Sequence, residues 1–187
     1  MELVDYAKLY SPQTDKYDLG YVDEFYNKFF EPRRYSVQSL LEVGIAYGGS
    51  LLLWRDYFPN ATIMGIDIYG CDTVENKERI IPIYTNAYSV DFVKLLAKES
   101  FDVVIDDGPH SFESMCFFLT HYIDLVKSGG LLVLEDIINP LWTLELLKLI
   151  DPAVGKITVY DMKEKQVDLG LKQLWANGLD VIVVEKY

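Results

Sequence analysis

Short apolar runs alternate along the chain with amphipathic segments, and this alternation predicts an α/β fold with a mostly parallel sheet. The apolar runs lack strict polar alternation, which is expected for strands that are covered by helices on both faces. Pro82 lies inside the third run and places that strand near an edge of the sheet. The five strands predicted in this way are residues 39–43, 61–68, 79–84, 101–105 and 131–134.

The longest helical pattern begins at His110, where apolar residues recur at i, i+3, i+4 and i+7 for four turns. Ser128-Gly129-Gly130 then gives a glycine signal that is predicted to end this helix. Ser89 is a predicted N-cap for another helix. The four helices predicted from such patterns are residues 21–30, 48–58, 89–98 and 110–126.

The length of 187 residues fits a single domain. We divide it into an N-terminal helical cap segment (1–38), a core (39–136) and a C-terminal part with further strands and a helix (137–187). The C-terminal part contains two more predicted strands, residues 157–160 and 180–184, which are joined by a polar stretch, 161–178. The predicted sheet therefore has seven strands with helices on both faces.

The net charge of −12 disfavours a nucleic acid as the main partner, because an acidic surface repels phosphate groups. No run of about 18 or more apolar residues occurs, so no membrane span is expected. The first residues, MELVDYAKLY, lack the apolar region of a signal peptide. Cys71 and Cys116 form no disulfide framework. We therefore expect a cytoplasmic protein.

A glycine-rich turn follows the first predicted strand and opens the first crossover helix, with the sequence EVGIAYGGS from Glu42 to Ser50. Its glycines are spaced G-x-x-x-G, and Ala46 stands where a dinucleotide site has its second glycine. The chain has no P-loop motif. Asp67 ends the second strand 23 residues after Gly44, where an acid can accept hydrogen bonds from ribose hydroxyls. The pattern predicts a nucleoside cofactor and argues against a nicotinamide oxidoreductase.

Acidic residues follow the fourth and fifth strands, which are predicted to be neighbours. The fourth strand is followed by Asp106-Asp107-Gly108-Pro109-His110 and the fifth by Glu135-Asp136. Ligands bind at the carboxyl ends of parallel strands, and clustered carboxylates repel one another unless a cation is present. Asp107 and Asp136 are therefore predicted to bind a divalent metal, and Asp106 and Glu135 to face the cofactor or support the ligands.

His110 lies three residues after Asp107, where the chain enters the long helix. Histidine has an ordinary pKa of about 6.5 and can take a proton from an acceptor hydroxyl near neutral pH. The alternative is that His110 only caps the helix, whereas His121, in mid-helix, is read as structural. A serine hydrolase is not indicated, since the turn at Ser50 lacks the G-x-S-x-G motif.

With these motifs in place, most of the chain resembles the class I S-adenosylmethionine-dependent methyltransferases, and among them the metal-dependent sugar O-methyltransferases that act on macrolide deoxysugars and rhamnosyl groups. The similar segments are 14–16 (TDK), 41–54 (LEVGIAYGGSLLLW), 57–61 (YFPNA), 65–68 (GIDI), 105–110 (IDDGPH) and 129–136 (GGLLVLED).

This resemblance implies a Rossmann-like sheet with an antiparallel last strand, a metal held by Asp107 and Asp136, and His110 as general base. It also implies S-adenosylmethionine and Mg²⁺ or Mn²⁺ as cofactors, with a sugar or glycan as acceptor. Glu135 is a third metal candidate. The residues predicted to contact the cofactor are Glu42, Gly44, Ala46, Tyr47, Gly48, Ser50, Asp67, Ile68, Asn86 and Asp106.

The chain departs from the family pattern at Pro109, where serine is usual, and at Gly20, where histidine often precedes the tyrosine. Its shortness predicts an open acceptor site or a homo-oligomer in which a second subunit supplies a wall. Two alternatives remain at this point: a catechol-type or other small-molecule O-methyltransferase, which usually has a lysine base, and a non-catalytic domain that binds a cofactor or glycan.

Overall fold

The computed structural model describes residues 1–98, 100–163 and 179–187. In these residues, seven strands form one sheet in the order β3-β2-β1-β4-β5-β7-β6, and only β7 runs antiparallel to its neighbours. The strands are β1 (Ser39–Val43), β2 (Thr62–Asp67), β3 (Ile80–Tyr84), β4 (Phe101–Asp106), β5 (Val126–Ile137), β6 (Gly155–Asp161) and β7 (Asp180–Lys186). The predicted fold class is confirmed, and β3, which contains Pro82, is indeed an edge strand.

The helices are α1 (Leu3–Tyr10), α2 (Asn27–Phe30), α3 (Gly49–Tyr57), α4 (Val90–Leu96), α5 (Phe112–His121) and α6 (Pro140–Leu147). A π-helical turn (Val22–Tyr26) leads directly into α2, and a 3-10 turn (Glu31–Arg33) follows it. The π-helical turn and α2 together account for the helix predicted over residues 21–30.

The long helix predicted over residues 110–126 is shorter in the structure. It ends at His121, and a 3-10 turn (Ile123–Leu125) leads into β5. Val126 pairs with Phe101 of β4, so the residues around Gly129 extend a strand and do not stop a helix. The predicted boundary was wrong because apolar residues that suit a helix face also suit a strand covered on both sides.

The sheet separates two apolar layers. Leu40 of β1 and Val103 of β4 face the layer that contains the N-terminal segment and α3. Leu41 and Val104, the next residues along each strand, face the layer that contains α5. Since side chains alternate along a strand, each strand contributes to both layers.

An aromatic cluster attaches the N-terminal segment to α3. Tyr26 and Phe30 contact the indole ring of Trp54 with ring centroids 4.8 and 5.2 Å apart, and Phe30 also packs on Phe58 at 5.0 Å. All four side chains are buried. This packing stabilises the segment before β1 and holds it against the carboxyl ends of the central strands.

Two helices have sequence signals that the pattern analysis did not use. The start of α1 carries a capping box between Glu2 and Asp5. The start of α6 has Asn139 as N-cap, with its side chain accepting the Leu141 N–H, and Pro140 in the first turn. Most of the polar stretch predicted over residues 161–178 lies outside the described residues.

Within the described parts of the chain, the structure contains no helix with the length and apolar character that crossing a membrane requires.

Candidate active site

The turn after β1 is shaped by Asp67 at the end of β2. One carboxylate oxygen of Asp67 accepts hydrogen bonds from the N–H groups of Ile45 (2.9 Å) and Ala46 (3.2 Å), and the other accepts from Tyr69 N–H (3.0 Å). Burial opposes ionisation, but these backbone donors outweigh it and lower the pKa of Asp67. Asp67 is therefore an ionised acceptor beside the turn.

Two clefts open at the carboxyl ends of the central strands. One, of about 570 Å³, extends from the turn past Asp67 toward Asn86. The other, of about 430 Å³, lies between the turn and the N-terminal segment. The residues that line both clefts are Gly44, Ala46, Asp107 and Gly108. An elongated ligand could therefore run from one cleft into the other across this turn.

Most of the predicted cofactor residues line one of these clefts: Gly44, Ala46, Tyr47, Ser50, Asp67, Ile68 and Asn86. Three others, Glu42, Gly48 and Asp106, do not. Gly48 is the left-handed residue before α3, at φ +82°, and a Cβ there would meet Val74 and Cys71. Its role is to let the turn pack closely on the chain after β2.

Asp107, His110 and Asp136 come together in the smaller cleft, and Asp107 also lines the larger one. One potential ligand atom from each lies within 4.8 Å of the others. His110 Nε2 is 3.8 Å from Asp107 Oδ1 and 3.6 Å from Asp136 Oδ2. The two carboxylates suit a divalent cation such as Mg²⁺ or Mn²⁺, with water or a ligand hydroxyl completing the coordination.

The backbone at this cluster is strained. His110 has φ +53° and Asp136 has φ +57°, and Ala46 in the cofactor turn has φ +45°. Residues other than glycine seldom adopt this left-handed conformation, and such strain concentrates at functional sites. The left-handed conformation of Ala46 shapes the turn, and that of His110 and Asp136 directs their side chains into the smaller cleft.

Burial raises the pKa of Asp136 to about 6, with a further contribution from the negative charge of Asp107. Asp15 and Asp18 line the same cleft and add to its negative charge. A cation at this position would relieve the repulsion between these carboxylates.

The other two acids predicted for this rim are not members of the cluster. Asp106 is buried and accepts a hydrogen bond from Tyr88 at 2.5 Å, and burial raises its pKa to about 8. Glu135 accepts hydrogen bonds from Tyr26 and from Lys16 Nζ, the latter at 2.7 Å. Neighbouring strand residues face opposite sides of a sheet, so only one acid of each pair can enter the cleft. The structure therefore does not bring Glu135, a predicted metal ligand, into the cluster.

Glu42 is fully buried and lines neither cleft. Trp54 Nε1 donates to one of its carboxylate oxygens at 2.9 Å, while among the described residues the other oxygen accepts no hydrogen bond. Burial raises the pKa of Glu42 to about 7, against the opposing effect of the Lys16 charge.

Lys16 is the main site residue that the sequence analysis did not single out. Its fully buried ammonium lies 2.8 Å from Asp107 Oδ2, 2.7 Å from Glu135 Oε2 and 3.6 Å from Glu42 Oε1. Burial would lower the pKa of Lys16, but these carboxylates outweigh it and raise it well above its usual value. Its only sequence signal was its place in the family-like segment 14–16.

Comparisons with known proteins identify relatives of this chain. A tetracenomycin rhamnosyl 3'-O-methyltransferase of Streptomyces olivaceus is 31% identical over 140 residues, which are 70% of this chain and 35% of that protein. Mycinamicin VI 2''-O-methyltransferase of Micromonospora griseorubida is 31% identical over 126 residues, 63% of this chain and 31% of that protein. No protein-family model matches the chain.

A crystal structure of the MycE methyltransferase from the mycinamycin pathway, in complex with Mg and SAH, superposes with a TM-score of 0.76 at 25% identity. The superposition covers 100% of this chain and 55% of that one. The chain thus spans about a third of the length of the two curated relatives and about half of MycE.

The fold is that of the class I methyltransferases. Within that class, the chain is a homologue of the sugar O-methyltransferases of macrolide and tetracenomycin pathways.

Proposed function

We propose that this chain is a divalent-metal-dependent O-methyltransferase that takes the methyl group from S-adenosylmethionine and transfers it to a sugar hydroxyl of a glycosylated molecule. The observation that carries this proposal is the cluster of Asp107, His110 and Asp136, which lines the same cleft as the turn from Gly44 to Ala46, while Asp107 also lines the larger cleft. Cofactor-binding and metal-binding features therefore meet at one point.

Asp67 and Asn86 would hold the nucleoside end of the cofactor in the larger cleft, and Ser50 and Tyr47 would contact its amino-acid end in the smaller one. Asp67 is ionised and directly beside the turn, so it can accept hydrogen bonds from ribose hydroxyls. Gly44 lets the loop that carries Asp107 pack against the turn, because a Cβ at Gly44 would lie 2.0 Å from the Asp107 carbonyl oxygen.

Asp107 and Asp136 would hold the metal and orient two neighbouring sugar hydroxyls. A bound divalent cation would lower the pKa of an attached hydroxyl. We assign the general base to His110 Nε2, which accepts the hydroxyl proton. The carboxylates 3.8 and 3.6 Å away would stabilise the imidazolium that results.

A sugar acceptor is supported by the tetracenomycin relative, whose name specifies a rhamnosyl group in the molecule that it methylates. The structure adds an aromatic pair: Phe112, two residues after His110 at the start of α5, contacts Trp142 of α6, with ring centroids 5.5 Å apart. Such faces can pack against the apolar face of a sugar ring.

Calorimetric titration of S-adenosylhomocysteine into the protein, followed by methyl-transfer assays with Mg²⁺ and with EDTA, tests the proposal. The acceptors are rhamnosides and, as a separate arm, catechol. We expect cofactor binding and metal-dependent transfer to the rhamnoside. Transfer to catechol alone supports the small-molecule alternative, while cofactor binding without transfer to either supports a non-catalytic domain.

His110→Gln separates two roles for the imidazole. If it is the base, the variant retains Mn²⁺ affinity and loses turnover by at least about 100-fold. A large loss of Mn²⁺ affinity would instead make His110 a metal ligand and contradict the assignment.

We further propose a cytoplasmic homo-oligomer. In the described parts of the chain both cysteines are free, which suits a reducing compartment. Leu141 and Leu144 of α6 are 69% and 59% exposed and would favour self-association. Light scattering of the purified protein tests the oligomeric state.

A further inference from the structure

We propose that Tyr21 and Lys16, both in the segment before β1, position the metal ligands by each binding one oxygen of a ligand carboxylate. The other oxygen of each carboxylate is thereby directed into the cluster with His110. This inference rests on the proposed metal-dependent function and assigns a specific task to the N-terminal segment.

The hydroxyl of Tyr21 donates a hydrogen bond to Asp136 Oδ1. The second oxygen, Oδ2, is the one that lies 3.6 Å from His110 Nε2. Tyr21 is fully buried and Asp136 is 8% exposed, so water does not compete freely for this bond. The rotation of the Asp136 carboxylate is therefore fixed before a cation arrives.

Asp107 is held in the same way. Lys16 Nζ lies 2.8 Å from Oδ2, and Oδ1 is the oxygen that lies 3.8 Å from His110 Nε2. In both carboxylates, an N-terminal donor engages one oxygen and the remaining oxygen faces the imidazole. Carboxylates held in this orientation lose less rotational freedom on binding a metal, and such supporting contacts contribute strongly to metal affinity.

Lys16 is itself fixed from the opposite side. Glu135 accepts from Lys16 Nζ at 2.7 Å and from the hydroxyl of Tyr26, which packs on Trp54. Glu135 thus serves as the buried counter-ion that keeps the ammonium in place. The support for the metal ligands is continuous with the aromatic cluster that attaches the segment to α3.

Titration with Mn²⁺, followed by the electron paramagnetic resonance signal of the free ion, tests the inference without any need for turnover. The test variant is Tyr21→Phe, which removes one hydroxyl and keeps the ring. The matched control is Tyr10→Phe: Tyr10 comes from the same segment and donates to Asp56 at 2.5 Å, but Asp56 lies outside the clefts and the cluster.

We expect Tyr21→Phe to weaken Mn²⁺ binding by at least about 10-fold, and Tyr10→Phe to leave it within about twofold of the wild type. Lys16→Met should weaken binding at least as much as Tyr21→Phe. If Lys16→Met does not fold, because it leaves several carboxylates buried without a cation, the Tyr21 and Tyr10 pair still decides the question.

The outcomes distinguish this inference from the proposed function. A wild-type protein that does not bind Mn²⁺ overturns the proposed metal dependence. A wild-type protein that binds Mn²⁺, with Tyr21→Phe binding as tightly as Tyr10→Phe, leaves the metal site intact and overturns the positioning role.

Discussion

Gly44 packs directly against the backbone carbonyl of Asp107. An ideal Cβ at Gly44 would lie 2.0 Å from that oxygen, and Gly44 has φ +99°. The Asp107 N–H in turn donates to Val43 O at 2.8 Å. The turn that forms the cofactor clefts and the loop that carries the first metal ligand are therefore in backbone contact, and a side chain at Gly44 would displace that loop.

Gly44→Ala is expected to disrupt both sites, since the new Cβ collides with backbone and the residue must keep a left-handed conformation. We expect S-adenosylhomocysteine affinity to fall more than about 10-fold and stability to fall by about 3 kcal/mol. The control is Gly129→Ala, where φ is +79° but no atom lies within 4 Å of the added Cβ. Gly129→Ala should lower the free energy of unfolding by only about 1–2 kcal/mol and leave S-adenosylhomocysteine binding unchanged. If the two variants bind S-adenosylhomocysteine equally well, the contact of Gly44 with the Asp107 backbone does not shape the cofactor site.

Asp67→Asn should weaken S-adenosylhomocysteine binding by about 10-fold or more, because the amide offers one acceptor where the carboxylate offers two. Mn²⁺ affinity should not change, since Asp67 is not a member of the cluster. Calorimetry with each ligand separately checks this pair of outcomes. Parallel losses of both affinities would indicate a general disturbance of the fold.

Mn²⁺ affinity should depend on pH through Asp136. Burial, and then the charge of Asp107, raises its pKa to about 6, so below that pH a metal must displace a proton. Deprotonation favours binding, and affinity therefore falls as the pH drops. We expect binding at pH 5.5 to be at least about fourfold weaker than at pH 7.5. An affinity that is constant over this range would show that Asp136 does not bind the metal.

Asp102, at the far end of β4 from the clefts, should contribute to stability in a pH-dependent way. It accepts hydrogen bonds from the N–H groups of Gln38 (2.8 Å) and Ser39 (2.9 Å) and from Lys127 (3.0 Å). Burial opposes ionisation, but these donors outweigh it and lower the pKa of Asp102 below 3.8.

A carboxylate with a lowered pKa stabilises the fold above its ordinary pKa, and this stabilisation is lost as the pH falls through the lowered value. Asp102→Asn should therefore reduce the free energy of unfolding by about 1–2 kcal/mol at pH 7. The difference from the wild type should shrink below pH 3.8. Urea denaturation at several pH values measures it, and a difference that grows on acidification would contradict the assignment.

The parallel core of the fold was predictable because its strands are covered on both faces and are therefore continuous apolar runs. The boundary between α5 and β5 was not, since the residues before Val126 suit either structure. The start of α6 could have been predicted from the sequence, because Asn139-Pro140 is a recognised signal for the start of a helix. The capping box of α1 was a weaker signal, as Glu2 is an uncommon N-cap.

The part of the candidate site that lies directly after strands β4 and β5 was predictable from the sequence. Asp107 and His110 share a loop, and Asp136 follows the neighbouring strand. Which acid of each pair enters the cleft depends on strand pleat, and a shift of one residue reverses it. The contribution of Lys16 depends on tertiary packing, since its partners are far away in the sequence, and no local pattern distinguishes it from a surface lysine.

The distances along the chain between Lys16 and its partners have a consequence for folding during synthesis. Asp107 and Glu135 leave the ribosome 91 and 119 residues after Lys16. Until β5 has been made and paired with β4, the ammonium lacks its partner Glu135, and the Tyr26 hydroxyl lacks the same acceptor. Contacts this distant close large loops and form late. A nascent chain that stops before Glu135 lacks both Glu135 and Asp136, so the metal ligands cannot acquire this arrangement until β5 has been made.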